Sequence, residues 1–283
     1  MKIFHHNDLD GRCAAAIVLN WCEQKGEKAF CVEMDYKDSP AYHLIAKDEI
    51  VEIVDFSFKP DVMEKILEIT ENVFWIDHHV SARDYPYQNL GGLRDFSDKG
   101  QSGCELTWKY HFPYHTIPLA VKLIGDYDKW ALKYQPDCFE FYEGLKVQKD
   151  TSPSSELWKR LFCKIEKSAY DNVQLIKQHG RISMTYRDNY CEKICKEFGY
   201  EIEWEGHKAF ITNFYQFGSK GFGDRMEQYD FCVAYIHDGN RFTVSLYSTK
   251  DVDVSIICKK HGGGGHKGAA GFVCKELPWS ASL

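Results

Sequence analysis

Through the first half of the chain, short runs of β-branched and aromatic residues alternate with longer stretches whose apolar positions recur at helical spacing. Residues 2–6 (KIFHH) read as a strand. A helix is expected from about Arg12, where Ala14, Ala15, Ala16, Ile17, Val18 and Leu19 are good formers, with Gly26 placed as its C-terminal cap. Residues 29–34 and 50–55 suit further strands. Pro60 then opens a helix carrying Val62, Ile66, Leu67 and Ile69, and residues 73–77 (VFWID) return as a strand. Two more helices are expected over 103–112 and 118–124. This alternation is the signature of a parallel sheet with helices on its faces.

Beyond Ser152-Pro153-Ser154-Ser155 the pattern becomes a long mixed helical stretch reaching about residue 197. The remainder carries alternating strand-like segments over 231–237 and 242–247, a short helix, the glycine run 262–265 and a last strand near 271–274. The expected fold class is therefore α/β. It comprises a parallel-sheet N-terminal domain over 1–153, a helical linker over 154–199 and a smaller α/β C-terminal domain over 200–283.

A hydrophobic content of 44% in 283 residues is enough for two cores and argues against disorder. The net charge of -7 disfavours a protein that tracks long nucleic acid by wrapping it in basic surface. Eleven cysteines without a CxxC pair, and no run near the roughly 18 apolar residues of a membrane span, fit a reduced cytoplasm and no membrane partner. Most cysteines read as small buried hydrophobes, with Cys13, beside the first motif below, a candidate for oxidation.

The expected strands finish in acidic and histidine residues. HNDLDG sets His6, Asp8 and Asp10 at alternate positions after the first strand, Asp55 ends the third, and Asp77, His78 and His79 end the fourth. Taken alone, HNDLDG serves equally as a helix cap or turn. Together with Asp126 in GDYDKW, however, these residues form a carboxylate-rich, histidine-containing set suited to hard or borderline divalent ions rather than structural zinc. Asp128 competes with Asp126 for the last position. Two such ions about 4 Å apart can activate water and neutralise charge on phosphoryl oxygens.

In this order the motifs resemble those of the DHH phosphoesterase superfamily, and GGGGHKGAAGF resembles the signature of its DHH-associated C-terminal domain. The resemblance implies two divalent ions, manganese or alternatively magnesium. One would be held by His6, Asp8 and Asp55, the other by Asp10, Asp55, His78 and Asp126, with Asp126 preferred to Asp128 on the family pattern. Asp55 would bridge, His79 would meet the scissile phosphate or the leaving group, and Asp77 would orient the ligands.

The glycine run has its own physical reading. Gly263, Gly264 and Gly265 can bring backbone amides close to an anion as a concave nest, with His266 and Lys267 adding donors beside it. Where many members carry an arginine before the glycines, this chain has Ser245-Leu246-Tyr247-Ser248, so Tyr247 is a candidate to stack a base. Phe214, Tyr215, Phe217 and Phe222 are further stacking candidates, although core packing suits most of them better.

HNDLDG and DYDKW resemble the small, nanoRNase-like oligoribonucleases, which implies hydrolysis of short single-stranded RNA or DNA to mononucleotides. The alternatives are a 3'-phosphoadenosine 5'-phosphate phosphatase, a cyclic-dinucleotide phosphodiesterase and, outside enzymes, a nucleotide-binding regulator. The partner is then a short oligonucleotide or nucleotide, and self-association as a homo-oligomer is left open.

Overall fold

Strand β1 (Lys2–His6) sends Ile3 and His5 to one face of a sheet and Phe4 and His6 to the other, as a period of two requires. In the computed structural model, which describes residues 1–97 and 99–279, β1 pairs in parallel with both β2 (Phe30–Met34) and β3 (Val51–Val54), and β3 pairs in parallel with β4 (Val73–Ile76). The order β2-β1-β3-β4 places a reversal of direction between β1 and β3. In open α/β sheets that switch point, at the carboxyl ends of the strands, is where a ligand crevice forms.

Helices cover both faces because both carry apolar side chains. Helix α1 (Leu9–Lys25), α3 (Gly103–His111), α4 (Leu119–Asp128), α5 (Asp137–Lys146) and α6 (Glu156–Leu161) bury Ile3, Val54 and Ile76. On the other face, Met63 and Ile66 of α2 (Pro60–Ile69) close over Phe4, Ile53 and Trp75. As expected, Gly26 ends α1 in the left-handed conformation, its amide reaching the carbonyls of Cys22 and Glu23. The short, aromatic-rich α5 was not anticipated from the pattern.

Helix α7 (Glu166–Phe198) is continuous, and the chain divides within it into two compact units, Met1–Ser183 and Met184–Leu283. The second unit is built on a six-stranded sheet ordered β5-β6-β7-β8-β10-β9: β5 (Tyr200–Trp204), β6 (His207–Thr212), β7 (Phe231–His237), β8 (Phe242–Tyr247), β9 (Gly264–His266) and β10 (Ala269–Cys274). Only β6 and β7 run parallel among its described pairs. Helix α9 (Val254–Lys260) packs its Val254, Ile257 and Cys258 on one face. The other face meets Cys195 of α7 and Met226 of α8 (Arg225–Gln228).

The glycine run is not the anion nest expected from the sequence. The amides of Gly262 and Gly263 are taken by the carbonyls of Lys259 and Cys258, which closes the end of α9, and Gly264, Gly265 and His266 pair with β10 as an edge strand. Gly263 and Gly265 are needed because a methyl group on either would overlap the facing β10 backbone. Of the four aromatic stacking candidates, Phe214 and Phe222 are buried and Phe217 is partly buried in the core, leaving Tyr215 exposed.

Candidate metal centre

The first motif is shaped by the join between β1 and α1. Asp8 caps α1, its Oδ1 accepting the Gly11 amide at 2.8 Å, while its Oδ2 lies 2.8 Å from His6 Nδ1. Gly11 lets the first turn of α1 rest on the end of β1, since a methyl group there would overlap the His6 backbone. Asp10, in the first turn of α1, is buried and reaches across to α3. It accepts from Ser102 Oγ (3.0 Å), Gly103 N (2.8 Å) and Cys104 N (3.1 Å), so a carboxylate sits on the positive end of that helix. Ser102 and Glu105 form a capping box that holds this N-terminus in place.

Asp55 follows β3 in a left-handed conformation (φ 52°) and is 1% exposed, yet neither of its carboxylate oxygens has a hydrogen-bond partner. Gly103 packs directly on it, leaving no room for a Cβ. At the end of β4, Asp77 is fully buried. Its Oδ1 accepts the His78 amide at 2.8 Å and His79 Nδ1 at 2.7 Å, and its Oδ2 accepts the Ser57 hydroxyl. Asp77 is thus spent on orienting the two histidines.

His78 Nε2 points into the carboxylates, 3.0 Å from Asp55 Oδ1, 3.4 Å from Asp128 Oδ2 and 3.7 Å from Asp10 Oδ2. Three overlapping groups of potential ligand atoms result: His6, Asp8 and Asp55; Asp55, His78 and His79; and Asp10, His78 and Asp128. Asp55 and His78 each belong to two groups. The preference for Asp126 is corrected here. Its carboxylate accepts the amides of Lys133 (2.8 Å) and Tyr134 (2.9 Å) and so builds the turn after α4, while Asp128 faces His78. Residues two apart on a helix point about 200° apart, so one of the pair at most can face the site.

The electrostatics are those of carboxyl groups crowded together out of water. Burial, then Asp10 and Asp8, push the Asp55 carboxyl far above the ordinary carboxylate range, and the same causes raise Asp128 to about 8. Burial acts to raise Asp8 and Asp77 as well, but hydrogen bonds from His6 and from His79 respectively prevail and leave both lowered. Burial lowers His78; it also opposes the charge on His79, where the bond to Asp77 prevails and raises it.

The orphaned oxygens of Asp55 fit divalent cations. Donor atoms that share an ion at about 2.1 Å and at right angles stand roughly 3 Å apart, which is the His78–Asp55 spacing. An all oxygen and imidazole donor set suits manganese or magnesium better than a thiolate-preferring site. Cys13, in contrast, is fully buried, and burial raises its thiol, so it lacks the exposed thiolate that oxidation needs.

Several contributors were not singled out from the sequence: Ser57 under Asp77, Ser102 and Gly103 under Asp10, and Tyr36 beside His6 and His79. The S-x-x-E capping box was legible at Ser102, but its long-range partner was not. In the second unit, Tyr247 is half-buried, 6.2 Å from Phe222 between ring centroids and opposite Ala269 in the sheet. His266 and Lys267 are exposed on the β9 hairpin, Lys267 within 3.4 Å of Asp251.

No family model matches the chain. A curated relative, uncharacterized protein R106 of Acanthamoeba polyphaga mimivirus, is 28% identical over 251 residues, covering 84% of this chain and 57% of that protein. The chain therefore spans less than two thirds of that relative's length. Among solved structures, the pGpG-specific phosphodiesterase PggH from Vibrio cholerae superposes with a TM-score of 0.53 at 11% identity, over 97% of this chain and 92% of that one. Exonuclease RecJ bound to manganese superposes with a TM-score of 0.54 at 14% identity, over 99% of this chain and 87% of that one. The chain has the fold of these two proteins.

Proposed function

We propose that the chain is a metal-dependent phosphodiesterase that hydrolyses short oligonucleotides to mononucleotides. The observation that carries this reading is the buried Asp55, shared between two ligand groups and lacking any hydrogen bond of its own. His6, Asp8 and Asp55 would hold one divalent ion and Asp10, Asp55, His78 and Asp128 the other, with Asp55 bridging. The ions, manganese or magnesium, would supply Lewis-acid activation of water and neutralise charge on the phosphoryl oxygens.

The protein's own part is positioning. Asp77 holds His79 through Nδ1, which leaves Nε2 free to hold a proton against the phosphate or the leaving oxygen, and the raised pKa of His79 favours that protonated form. Ser57 locks Asp77 from its far side, while α3 locks Asp10. In the second unit, His266 and Lys267, exposed on the β9 hairpin, would take a terminal phosphate, with Gly264 and Gly265 pairing that edge to β10 and Tyr247 packing beside it. Gly263, its amide used to close α9, would serve that edge through its close packing on β10.

A net charge of -7 favours short substrates over long strands, where binding rests on phosphate neutralisation. The likeness to a pGpG-specific phosphodiesterase over nearly its whole chain supports a dinucleotide as the first substrate to try. The test is product analysis with manganese on labelled dinucleotides, slightly longer oligomers, a long single strand and 3'-phosphoadenosine 5'-phosphate, with His78→Ala as control. Mononucleotides from the short substrates, absent with the control, are expected. Release of phosphate from the bisphosphate alone would replace this reading with a nucleotide phosphatase.

A further inference from the structure

Tyr36 lies in the turn that follows β2, next to the first metal-binding motif. The turn is well held. The Asp38 carboxylate accepts the Asp35 amide at 2.7 Å, the Asp35 carbonyl accepts the Asp38 amide at 2.9 Å, and Asn7 donates to the Asp35 carboxylate at 3.3 Å. The Tyr36 ring stacks on Phe56 with centroids 4.6 Å apart and planes 25° apart. It also stands 5.5 Å from the His6 ring and 5.9 Å, edge to face, from the His79 ring. Yet the residue is 48% exposed.

An aromatic ring backed by a second ring, fixed by a short turn and left half open to solvent is poorly explained by core packing. Burial, then Asp77 and Asp55, raise its hydroxyl, while about half of the residue stays open to solvent. A nucleotide whose phosphate sat among His6, His79 and Asp55 would have this surface within reach of its base.

We infer that Tyr36, backed by Phe56, is the stacking platform for a nucleobase of the substrate, next to the metal centre and independent of base identity. This deepens the phosphodiesterase reading and rests on it for the nature of the ligand. Stacking on an aromatic side chain supports every base because each offers a π face. Its loss corresponds to a roughly tenfold or larger weakening of binding. Trp130, 58% exposed in the turn after α4, is a rival platform on the described surface of this unit.

The test compares Tyr36→Ala, Tyr36→Phe, Tyr36→Trp and Trp130→Ala in the full chain. A dinucleotide carrying 2-aminopurine reports stacking by fluorescence quenching in the presence of calcium, without turnover. In parallel, KM and kcat with manganese are measured for a plain dinucleotide and for analogues in which either base is replaced by hydrogen. Quenching that is lost in Tyr36→Ala and kept in the phenylalanine and tryptophan variants is expected, with a KM rise of roughly tenfold that is not additive with removal of one base. Equal losses in Tyr36→Ala and Tyr36→Phe, additive losses, or a base effect that follows Trp130 instead would overturn the inference. If the wild type quenches but does not cleave, the platform stands and the phosphodiesterase reading fails.

Discussion

His78 Nε2 stands 3.0 Å from Asp55 Oδ1, and no hydrogen bond joins them. A donor and acceptor at that distance ordinarily align, because a buried carboxylate without partners costs several kcal/mol. Here they do not, and Asp10 and Asp128 stand around the same imidazole. Folding has brought mutually repelling groups together, and that cost is recovered when a cation binds between them.

Thermal stability should therefore depend on metal. With manganese at about 100 times its dissociation constant, mass action adds roughly 2.7 kcal/mol, which for a unit of this size raises Tm by about 5–10 °C. Asp55→Asn should match or exceed the wild-type Tm without metal and lose most of the shift. An unchanged wild-type Tm on adding manganese would remove the basis for a metal centre here.

Asp126 and Asp128 should separate cleanly. Asp128→Asn replaces a carboxyl whose pKa of about 8 keeps it largely protonated near pH 7 by a neutral group of the same shape, so stability is kept while metal-dependent turnover falls by ~100-fold or more, since even supporting residues of metal ligands are worth about 10–100-fold. Asp126→Ala frees two backbone amides and should cost about 2–4 kcal/mol, seen as a lower denaturant midpoint, with turnover reduced only as far as folding is. The reverse pattern would restore Asp126 as the ligand.

Metal binding should release protons. Asp128, with a pKa of about 8, holds a proton near pH 7 in the absence of metal, and the same neighbours raise Asp55. A cation must displace the Asp128 proton, so affinity rises with pH up to about 8 and levels off above it. Apoprotein stability should move the other way. Between the ordinary carboxylate pKa and about 8 the folded state binds a proton that the unfolded state has lost, so stability declines as pH rises through that window. Calorimetry in buffers of different ionisation heat counts the protons, and a count of zero would contradict the carboxylate geometry.

Asp77→Asn should shift the pH profile more than the metal affinity. The carboxamide cannot stabilise a charged His79, so the fall in kcat/KM with rising pH should move to lower pH, with a loss of roughly 100-fold at neutral pH. Ser57→Ala, which removes only the hydroxyl behind Asp77, should shift it in the same direction by a smaller amount. Identical pH profiles in wild type and Asp77→Asn would show that His79 works without that carboxylate.

What was readable in the chain itself were features set by neighbours in sequence. Alternation of apolar runs marked β1, β3 and β4, and their last residues placed His6, Asp55 and Asp77 together, because parallel strands necessarily share one carboxyl edge. Gly26 and Pro60 marked helix ends through local backbone preference alone.

Tertiary structure decided the rest. Asp126 and Asp128 lie on the same helical turn with the same chemistry, and only the packing of α4 chose which one faces His78 and which one builds the next turn. The glycine run became an edge strand because β10 was there to pair with it and α9 consumed the first two amides. Asp10 found its donors at Ser102, Gly103 and Cys104, and Tyr36 found Phe56, His6 and His79. Such partners are remote in sequence and near in space, so no local pattern of hydrophobicity or spacing carries them; they exist only once the sheet has brought its loops to one edge.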